Sequence, residues 1–196
     1  MRAGWTMRAV NDLAYVSRGR SRHRPRNDPA LYGGDYPFMQ TADIHSADLY
    51  ITNCSQTYSE KGLQQSRLWE PGTICITIAG ENTGDCAILG IRACFPDSVV
   101  GVVADPMKAD TTFLTYAIDR LRPQLRKVTR GATQDNLSLA KLLAFKFPTP
   151  PVTTQRRIGE ILRNYGDLID NNRRRIALLE EAARQLYREW FVRLRF

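Results

Sequence analysis

The side chains best suited to chemistry in this sequence are arginines, and their pattern indicates binding rather than catalysis. Within residues 17–26 the arginines alternate with small or polar residues and show neither helical nor strand periodicity. A guanidinium presents a planar fork of donors that matches phosphate oxygens and the edge of guanine. We therefore expect nucleic-acid contacts from Arg18, Arg20, Arg22 and Arg24. A solvated, charged loop is the alternative for such a run, and the sequence leaves both open.

A second group combines basic residues with short polar side chains. A polar loop at residues 131–136 follows the basic end of a predicted helix, and a predicted hairpin tip lies at residues 80–84. Such side chains can contact base edges, although in turns they more often satisfy the local backbone. The contacts expected from this group are Arg126 and Arg130, with Asn82, Thr83, Thr133, Gln134 and Asn136 as polar readers of bases.

The motifs of common enzymes are missing. The glycines form no Gly-x-Gly, so a dinucleotide fingerprint and the usual methyl-donor turn are absent, and no Gly-Lys pair marks a phosphate loop. No lysine follows an acidic residue at the spacing common in two-metal nucleases. Residues 27–30 lack the second proline and the aromatic ring of an amino-methyltransferase tetrad, and they predict a turn. We expect no catalytic residues and no enzyme activity from this chain alone.

The cysteines and histidines are too few and too widely spaced for a metal site. Four cysteines include no Cys-x-x-Cys pair, and His23 and His45 are the only histidines. We expect no cofactor, no metal and mostly buried, reduced thiols, as in a cytoplasmic protein. No apolar run approaches the ~20 residues that span a bilayer, and we expect neither a secretory signal nor a membrane partner.

The composition fits a folded, basic protein. The chain has 196 residues, 43% of them hydrophobic, and its 28 Lys+Arg against 20 Asp+Glu give a net charge of +8. Almost all of the basic excess is arginine, with 23 Arg against 5 Lys. This bias favours a nucleic-acid partner, while a merely basic surface is the alternative.

The coarse pattern predicts an α+β fold: a compact mixed α/β domain over residues 1–150 and a long helix over residues 151–196. Alternating isoleucines at 73–78 predict a half-buried strand, paired through the 80–84 turn with a second strand at 86–91. Asp110 and Ser138 are expected to cap helices, the first running into the basic residues after 120. A strand is expected at 145–147, prolines 148–151 mark a boundary, and Thr153 or Thr154 would cap the long helix.

The long helix carries a regular seam of core-type residues. Steps of four and three residues continue without a slip over more than four heptads, which is typical of a coiled coil. As one helix, residues 155–193 would extend about 58 Å. We expect a second helix to cover this apolar seam. The alternative is that the long helix folds back on the chain's own domain. The seam consists of Ile158, Leu162, Tyr165, Ile169, Asn172, Ile176, Leu179, Ala183, Leu186 and Trp190.

The order of these segments resembles the DNA-specificity subunit of type I restriction–modification systems, in a half-length form. The most specific matches are residues 148–155 (PTPPVTTQ) with Ile158 and Leu162, and residues 189–193 (EWFVR). Individually weaker matches are Trp5, the Gly19 loop, residues 68–74 (LWEPGTI) and residues 131–138 (GATQDNLS). The resemblance covers nearly the whole chain. Subunits of this family usually carry two recognition domains and two conserved helices, whereas this sequence has one of each and no internal repeat.

The resemblance implies a non-catalytic reader of double-stranded DNA. Two copies would pair through the helix, antiparallel, to rebuild a two-headed reader of a bipartite site. Methyltransferase subunits would dock on it and methylate adenine N6 with S-adenosylmethionine, and a restriction–translocase subunit would join them. A truncated or decoy chain that binds methyltransferase subunits without productive DNA recognition is the alternative. An independent nuclease or methyltransferase is opposed by the missing motifs.

Overall fold

The structure, a computed structural model, describes residues 4–129 and 137–195. The chain divides into two compact units, Met1–Glu160 and Ile161–Phe196. In chain order the strands are β1 (Thr6–Ala9), β2 (Ala14–Arg18), β3 (Tyr32–Phe38), β4 (Tyr50–Ile51), β5 (Gln56–Tyr58), β6 (Leu68–Trp69), β7 (Ile74–Thr77), β8 (Cys86–Leu89), β9 (Ala93–Cys94), β10 (Val99–Ala104) and β11 (Lys146–Thr149). The helices are α1 (Val10–Leu13), α2 (Thr41–Ser46), α3 (Glu60–Gln64), α4 (Thr111–Asp119), α5 (Arg122–Thr129), α6 (Leu139–Ala144) and α7 (Val152–Tyr187).

The centre of the first unit is a five-stranded sheet in the order β2-β10-β7-β8-β4. The predicted hairpin is confirmed, because β7 pairs antiparallel with β8 and Ile76 lies opposite Cys86. The expectation of a half-buried strand is wrong, since all four residues of β7 are buried. Ile74 and Ile76 belong to one hydrophobic cluster and Cys75 to another, so the alternating residues separate two cores rather than a core and solvent.

A second sheet, in the order β5-β3-β9-β6, contributes aromatic residues to the second core. Trp69 is only 2% exposed and stacks on Phe95 with ring centroids 4.9 Å apart. Both rings lie against Gly101 of β10, where a Cβ would come within 2.7 Å of Trp69 and 2.8 Å of Phe95. Only glycine leaves room there for the rings to contact the strand.

The caps predicted for two helices are confirmed, but the first helix is shorter than expected. The Asp110 side chain accepts a hydrogen bond from the Phe113 N–H at 2.9 Å, and Ser138 accepts one from Lys141 at 3.2 Å. The helix from Asp110 was expected to continue into the basic residues, yet α4 ends at Asp119 and α5 begins at Arg122. Pro123 accounts for the break, because it lacks an N–H and is tolerated only in a first helical turn.

The proline-rich segment departs from expectation at both of its ends. Strand β11 continues through Pro148 to Thr149, because it forms a two-stranded sheet with β1 in which each strand has a free edge. Helix α7 begins at Val152, so Thr153 and Thr154 lie inside its first turn and do not cap it. The Thr154 N–H donates instead to the Pro151 carbonyl at 2.9 Å.

Gln155 fixes the first turn of α7 within the folded unit. Its side chain is buried, at 1% exposure. Its Oε1 accepts a hydrogen bond from the Asp110 N–H at 3.1 Å, and its Nε2 donates to the Lys108 and Pro150 carbonyls at 3.1 and 2.9 Å. One amide therefore joins the start of α7 to the residue that caps α4.

Candidate nucleic-acid interface

The described members of the two groups of predicted contacts lie at or next to one end of the five-stranded sheet. In the register, Arg18 at the end of β2 lies opposite Val100, and Val99 lies opposite Thr77 at the end of β7. The chain that leaves β2 and the turn that joins β7 to β8 therefore start at the same end of the sheet, on either side of the first residues of β10. We call this edge, marked by Arg18, Thr77, Cys86 and Val99, the loop end of the sheet.

The arginine loop, residues 18–26 with Arg18 as the last residue of β2, makes two backbone hydrogen bonds to neighbouring segments near its start. The Gly19 N–H donates to the Val99 carbonyl at 2.9 Å, and the Arg20 N–H donates to the Phe95 carbonyl at 3.1 Å. A Cβ at Gly19 would lie 2.3 Å from the Phe95 carbonyl oxygen, so this close approach requires glycine. Gly19, which contributes to the family resemblance of the sequence, therefore has a packing role.

Two side chains hold the middle of the arginine loop. The Gln65 Oε1 accepts hydrogen bonds from the Arg22 and His23 N–H groups at 2.6 and 3.0 Å. The Ser66 hydroxyl donates to the Arg20 carbonyl at 2.9 Å. The loop lacks regular secondary structure, as predicted, yet its backbone groups are paired with fixed partners.

The arginines of the loop fall into two classes. Arg18, Arg20 and Arg22 are exposed and make no ion pair within residues 4–129 and 137–195. Arg24 is exposed too, but it folds back and donates to the Ser21 and His23 carbonyls, each at 2.8 Å. Arg26 pairs through Nη2 with both carboxylate oxygens of Asp97, at 2.9 and 3.0 Å. The first class therefore presents its donors to solvent.

The base of the loop is closed by a carboxylate with several partners. Asp28 accepts from the Ala30 N–H at 3.0 Å and pairs with Lys61 at 3.1 Å, and His23 Nε2 lies 3.0 Å from it. The backbone N–H of Ala30, followed by Lys61 and His23, lowers the pKa of Asp28 below its ordinary value. This carboxylate therefore stays ionised and keeps the loop base paired at neutral pH.

The turn between β7 and β8 uses most of its polar groups internally. Thr83 is buried, and its hydroxyl donates to the Gly80 carbonyl at 2.7 Å. The Thr77 hydroxyl donates to the Asn82 carbonyl, so the backbone of Asn82 closes the turn while its side chain is half-buried. Thr83 was expected to contact bases, and the structure instead gives its hydroxyl a role in closing the turn.

Asp85 joins the turn to the basic helix α5. Its side chain is 5% exposed, and its Oδ1 lies 3.0 Å from Arg126 Nη2 and 3.3 Å from Arg122 Nη1. Its Oδ2 lies 2.6 Å from His45 Nδ1. Arg126, predicted as a phosphate contact, also donates from Nε to the Thr83 carbonyl at 3.1 Å. At least part of its guanidinium is therefore committed to holding α5 on the turn.

The remaining predicted contacts lie outside the described residues: Arg130, Thr133, Gln134 and Asn136. The chain is described again from Leu137, whose N–H donates to the Ile78 carbonyl at 2.8 Å next to the loop end. Sequence reasoning missed Gln65, Ser66 and Asp85 as residues that support the interface. Only their distant partners reveal them, so no local spacing could have pointed to these three.

The helical seam is largely exposed. Ile158 and Leu162 are half-buried, and the other eight seam residues are exposed. Leu179 is 68% exposed and Trp190 is 47% exposed, which is unusual for large apolar side chains. The helix continues past Tyr187 as a wider helical turn over Arg188–Val192.

The four cysteines are free thiols; Cys75 and Cys94 are buried, and Cys54 and Cys86 are half-buried. Burial raises the pKa of Cys54 to about 11 and that of Cys86 to about 12. No group of three His, Cys, Asp or Glu side chains suited to a metal ion occurs in residues 4–129 and 137–195. Over the same residues, no helix combines the length and the apolar character needed to cross a membrane.

Comparison with known proteins places the chain in a family. Residues 2–181 match the family model described as the type I restriction modification DNA specificity domain. The chain therefore belongs to the family of type I restriction–modification DNA-specificity domains, and the resemblance stated from its sequence is confirmed.

Individual relatives agree in fold and differ in length. The chain is 24% identical over 199 residues to the type I restriction enzyme MjaIX specificity subunit of Methanocaldococcus jannaschii, covering 96% of this chain and 44% of that protein. A solved chain of a type I R-M system covers 95% of this chain and 44% of its own, with TM-score 0.70 and 21% identity. The HsdS subunit from Thermoanaerobacter tengcongensis covers 93% and 40%, with TM-score 0.63 and 21% identity. The chain spans less than half the length of each, and the expected α+β fold with a long helix is confirmed.

The Asp85 contacts predict a measurable loss of stability. Replacing Asp85 by alanine leaves two guanidinium groups without their shared, buried carboxylate. Both guanidinium side chains are more than a third exposed, so solvent screens part of the loss, and we expect about 2 kcal/mol of destabilisation. Urea unfolding measures it. The control is Glu70→Ala, which removes an exposed partner of Arg92 and should shift the midpoint little. Equal midpoints for the two variants would contradict the role assigned to Asp85.

Proposed function

We propose that this chain recognises one half of a bipartite DNA site through the loop end of its five-stranded sheet. The observation that carries the proposal is the juxtaposition of the arginine loop, the β7–β8 turn and helix α5 at that edge. Membership of the DNA-specificity family supports DNA as the partner. The arginines supply affinity through phosphate contacts, and the polar side chains supply preference through base edges.

The roles of individual residues follow from how they are held. Arg18, Arg20 and Arg22 are the foremost phosphate or guanine contacts, because their side chains are exposed and make no ion pair within the described residues. Arg24 contributes charge from a folded-back position, and Asn82 offers a half-buried amide at the turn. The sequence-based expectations for Arg130, Thr133, Gln134 and Asn136 remain part of the proposal, and Arg126 acts mainly by positioning α5.

In this proposal the chain determines which DNA sequence is bound and carries out no reaction itself. Adenine methyltransferase subunits bind to it, extrude the target base and methylate N6 using S-adenosylmethionine. A restriction–translocase subunit joins the same assembly. Family membership supports the non-catalytic role.

The exposed seam of α7 is the proposed contact with a second half-subunit. Large apolar side chains recur along it at heptad spacing, which suits a partner helix with the same pattern. Two copies paired antiparallel would carry two recognition units related by a two-fold axis, and their target would consist of inverted half-sites. The paired helices would then set the distance between the half-sites.

The arginine loop predicts the salt dependence of DNA binding. Removing one phosphate-binding side chain should reduce the slope of log K against log salt by about 0.9, so replacing Arg18, Arg20 and Arg22 by alanine should reduce it by up to about 2.7. Fluorescence anisotropy with a short duplex of random sequence measures this slope. Arg92→Ala is the matched control, because Arg92 is exposed but paired with Glu70 at 2.7 Å. An unchanged slope in the triple variant would remove the loop from the interface.

A methylome gives the most direct test of the whole proposal. When the chain is expressed with its neighbouring methyltransferase subunit, we expect N6-methyladenine in a palindromic, bipartite motif, because a symmetric pair of readers selects inverted half-sites. Long-read sequencing maps these bases. An asymmetric motif would indicate a different second reader. No methylation from a complex that demonstrably forms would favour the decoy function.

Asn172 provides a test of the seam. A polar residue in an apolar seam disfavours shifted pairings, so Asn172→Leu should raise the melting temperature or admit further association states. Sedimentation and thermal unfolding measure these properties. The exposed Asn171→Leu, on the neighbouring position outside the seam, controls for added surface hydrophobicity. Size and melting behaviour identical to those of the original chain would place Asn172 outside the contact.

A further inference from the structure

Arg67 lies outside the loops proposed to recognise DNA, and the proposed function does not account for its contacts. Its guanidinium carbon lies 3.9 Å from the centre of the Trp69 ring and 5.3 Å from the centre of the Tyr15 ring. Trp69 is itself fixed by stacking on Phe95, so the guanidinium rests on an immobile aromatic surface. Such stacking fixes the plane of the guanidinium and reduces the entropy lost when it binds a ligand.

Arg67 is held by a neutral partner rather than by an acidic one. Its Nη1 donates to the Tyr15 hydroxyl at 3.0 Å, and it makes no ion pair with a carboxylate in the part of the chain that the structure describes. Arg26 and Arg92, on the same unit, are each paired with an acidic side chain. A half-buried cation that is oriented but not neutralised is suited to an external anion.

Tyr15 extends this arrangement to the surface. It is 55% exposed on the edge strand β2, opposite the exposed Val103 of β10. Hydrogen bonding from Arg67 and then from Ser17 lowers the pKa of Tyr15, and the charge of Arg20 adds to the effect. Because the phenol accepts from Arg67, its own O–H remains available to donate to a ligand oxygen.

The pair is continuous with the arginine loop. Gln65 and Ser66, which hold the loop backbone, immediately precede Arg67 in the chain. Arg20 is near enough to influence Tyr15. A nucleic-acid backbone that crosses the loop would therefore meet Arg67 and Tyr15 next.

We propose that Arg67 and Tyr15 form a further phosphate-binding site, which extends the DNA interface from the arginine loop along the free edge of β2. The proposal rests on DNA binding as the proposed function. Arg67 donates from its remaining N–H groups to the phosphate oxygens, and Tyr15 donates its O–H. Trp69 positions the guanidinium and does not touch the ligand.

The test is salt-dependent binding of the full chain to a short duplex of random sequence. Arg67→Ala should reduce the slope of log K against log salt by about 0.9, the value for one phosphate contact. Arg67→Lys should keep the slope but bind several-fold more weakly, because the ammonium cannot stack as a plane. Tyr15→Phe should bind more weakly with an unchanged slope, since it removes a neutral donor. Arg92→Ala should leave the slope unchanged, and thermal unfolding confirms that each variant is folded.

Three results would overturn this site while leaving the proposed function intact. The first is an unchanged slope for Arg67→Ala when the triple variant of Arg18, Arg20 and Arg22 shows a reduced one. The second is an unchanged slope together with weaker assembly with the methyltransferase subunit, which would make Arg67 a protein contact. A loss confined to the methylated target sequence would indicate a base contact and would overturn the phosphate assignment. Absence of salt-dependent binding by the original chain would instead contradict the proposed function itself.

Discussion

The long helix depends on one buried amide at its first turn. A helix whose apolar side chains are mostly exposed gains little from contacts within its own chain, so its starting point must be fixed by the folded unit from which it emerges. Gln155 meets this requirement through hydrogen bonds to the Asp110 N–H and to two carbonyl groups. Because Asp110 also caps α4, the same few atoms determine where both helices begin. The glutamine of the sequence motif PTPPVTTQ thus has a physical explanation, since a shorter or apolar side chain would leave these buried groups unpaired.

The candidate interface also depends on a few side chains that hold its backbone in place. The arginine loop is held at its backbone by Gly19, Gln65 and Ser66. On the other side of the loop end, Asp85 ties the β7–β8 turn to α5. Side chains that project from a fixed backbone lose less freedom when they bind, which favours affinity. Loops at this edge can therefore be irregular without being loosely held.

Local signals predicted the elements well, but they did not reveal which side chains have partners within the fold. The hairpin, the caps at Asp110 and Ser138 and the long helix follow from spacing and turn chemistry within a few residues, and the structure confirms them. The prediction of a single helix after Asp110 is wrong, because the apolar spacing and the basic residues continue across the break that Pro123 causes. The sequence predicts DNA contacts for Arg126 and Thr83 because it does not show their internal partners. Those partners, Asp85 and Gly80, are visible only in the three-dimensional structure. The contact residues themselves stay predictions, because which exposed arginine meets a phosphate depends on the partner as much as on the chain.

The way the arginine loop is anchored has a consequence for how such readers diversify. Its anchors use backbone atoms together with Gly19, Gln65 and Ser66, whereas the side chains of Arg18, Arg20 and Arg22 take no part in holding it. Substitutions at these three positions can therefore accumulate one at a time without cost to folding. Selection could change the affinity for DNA in small steps while the loop backbone stays the same, so a change in affinity does not require a new loop.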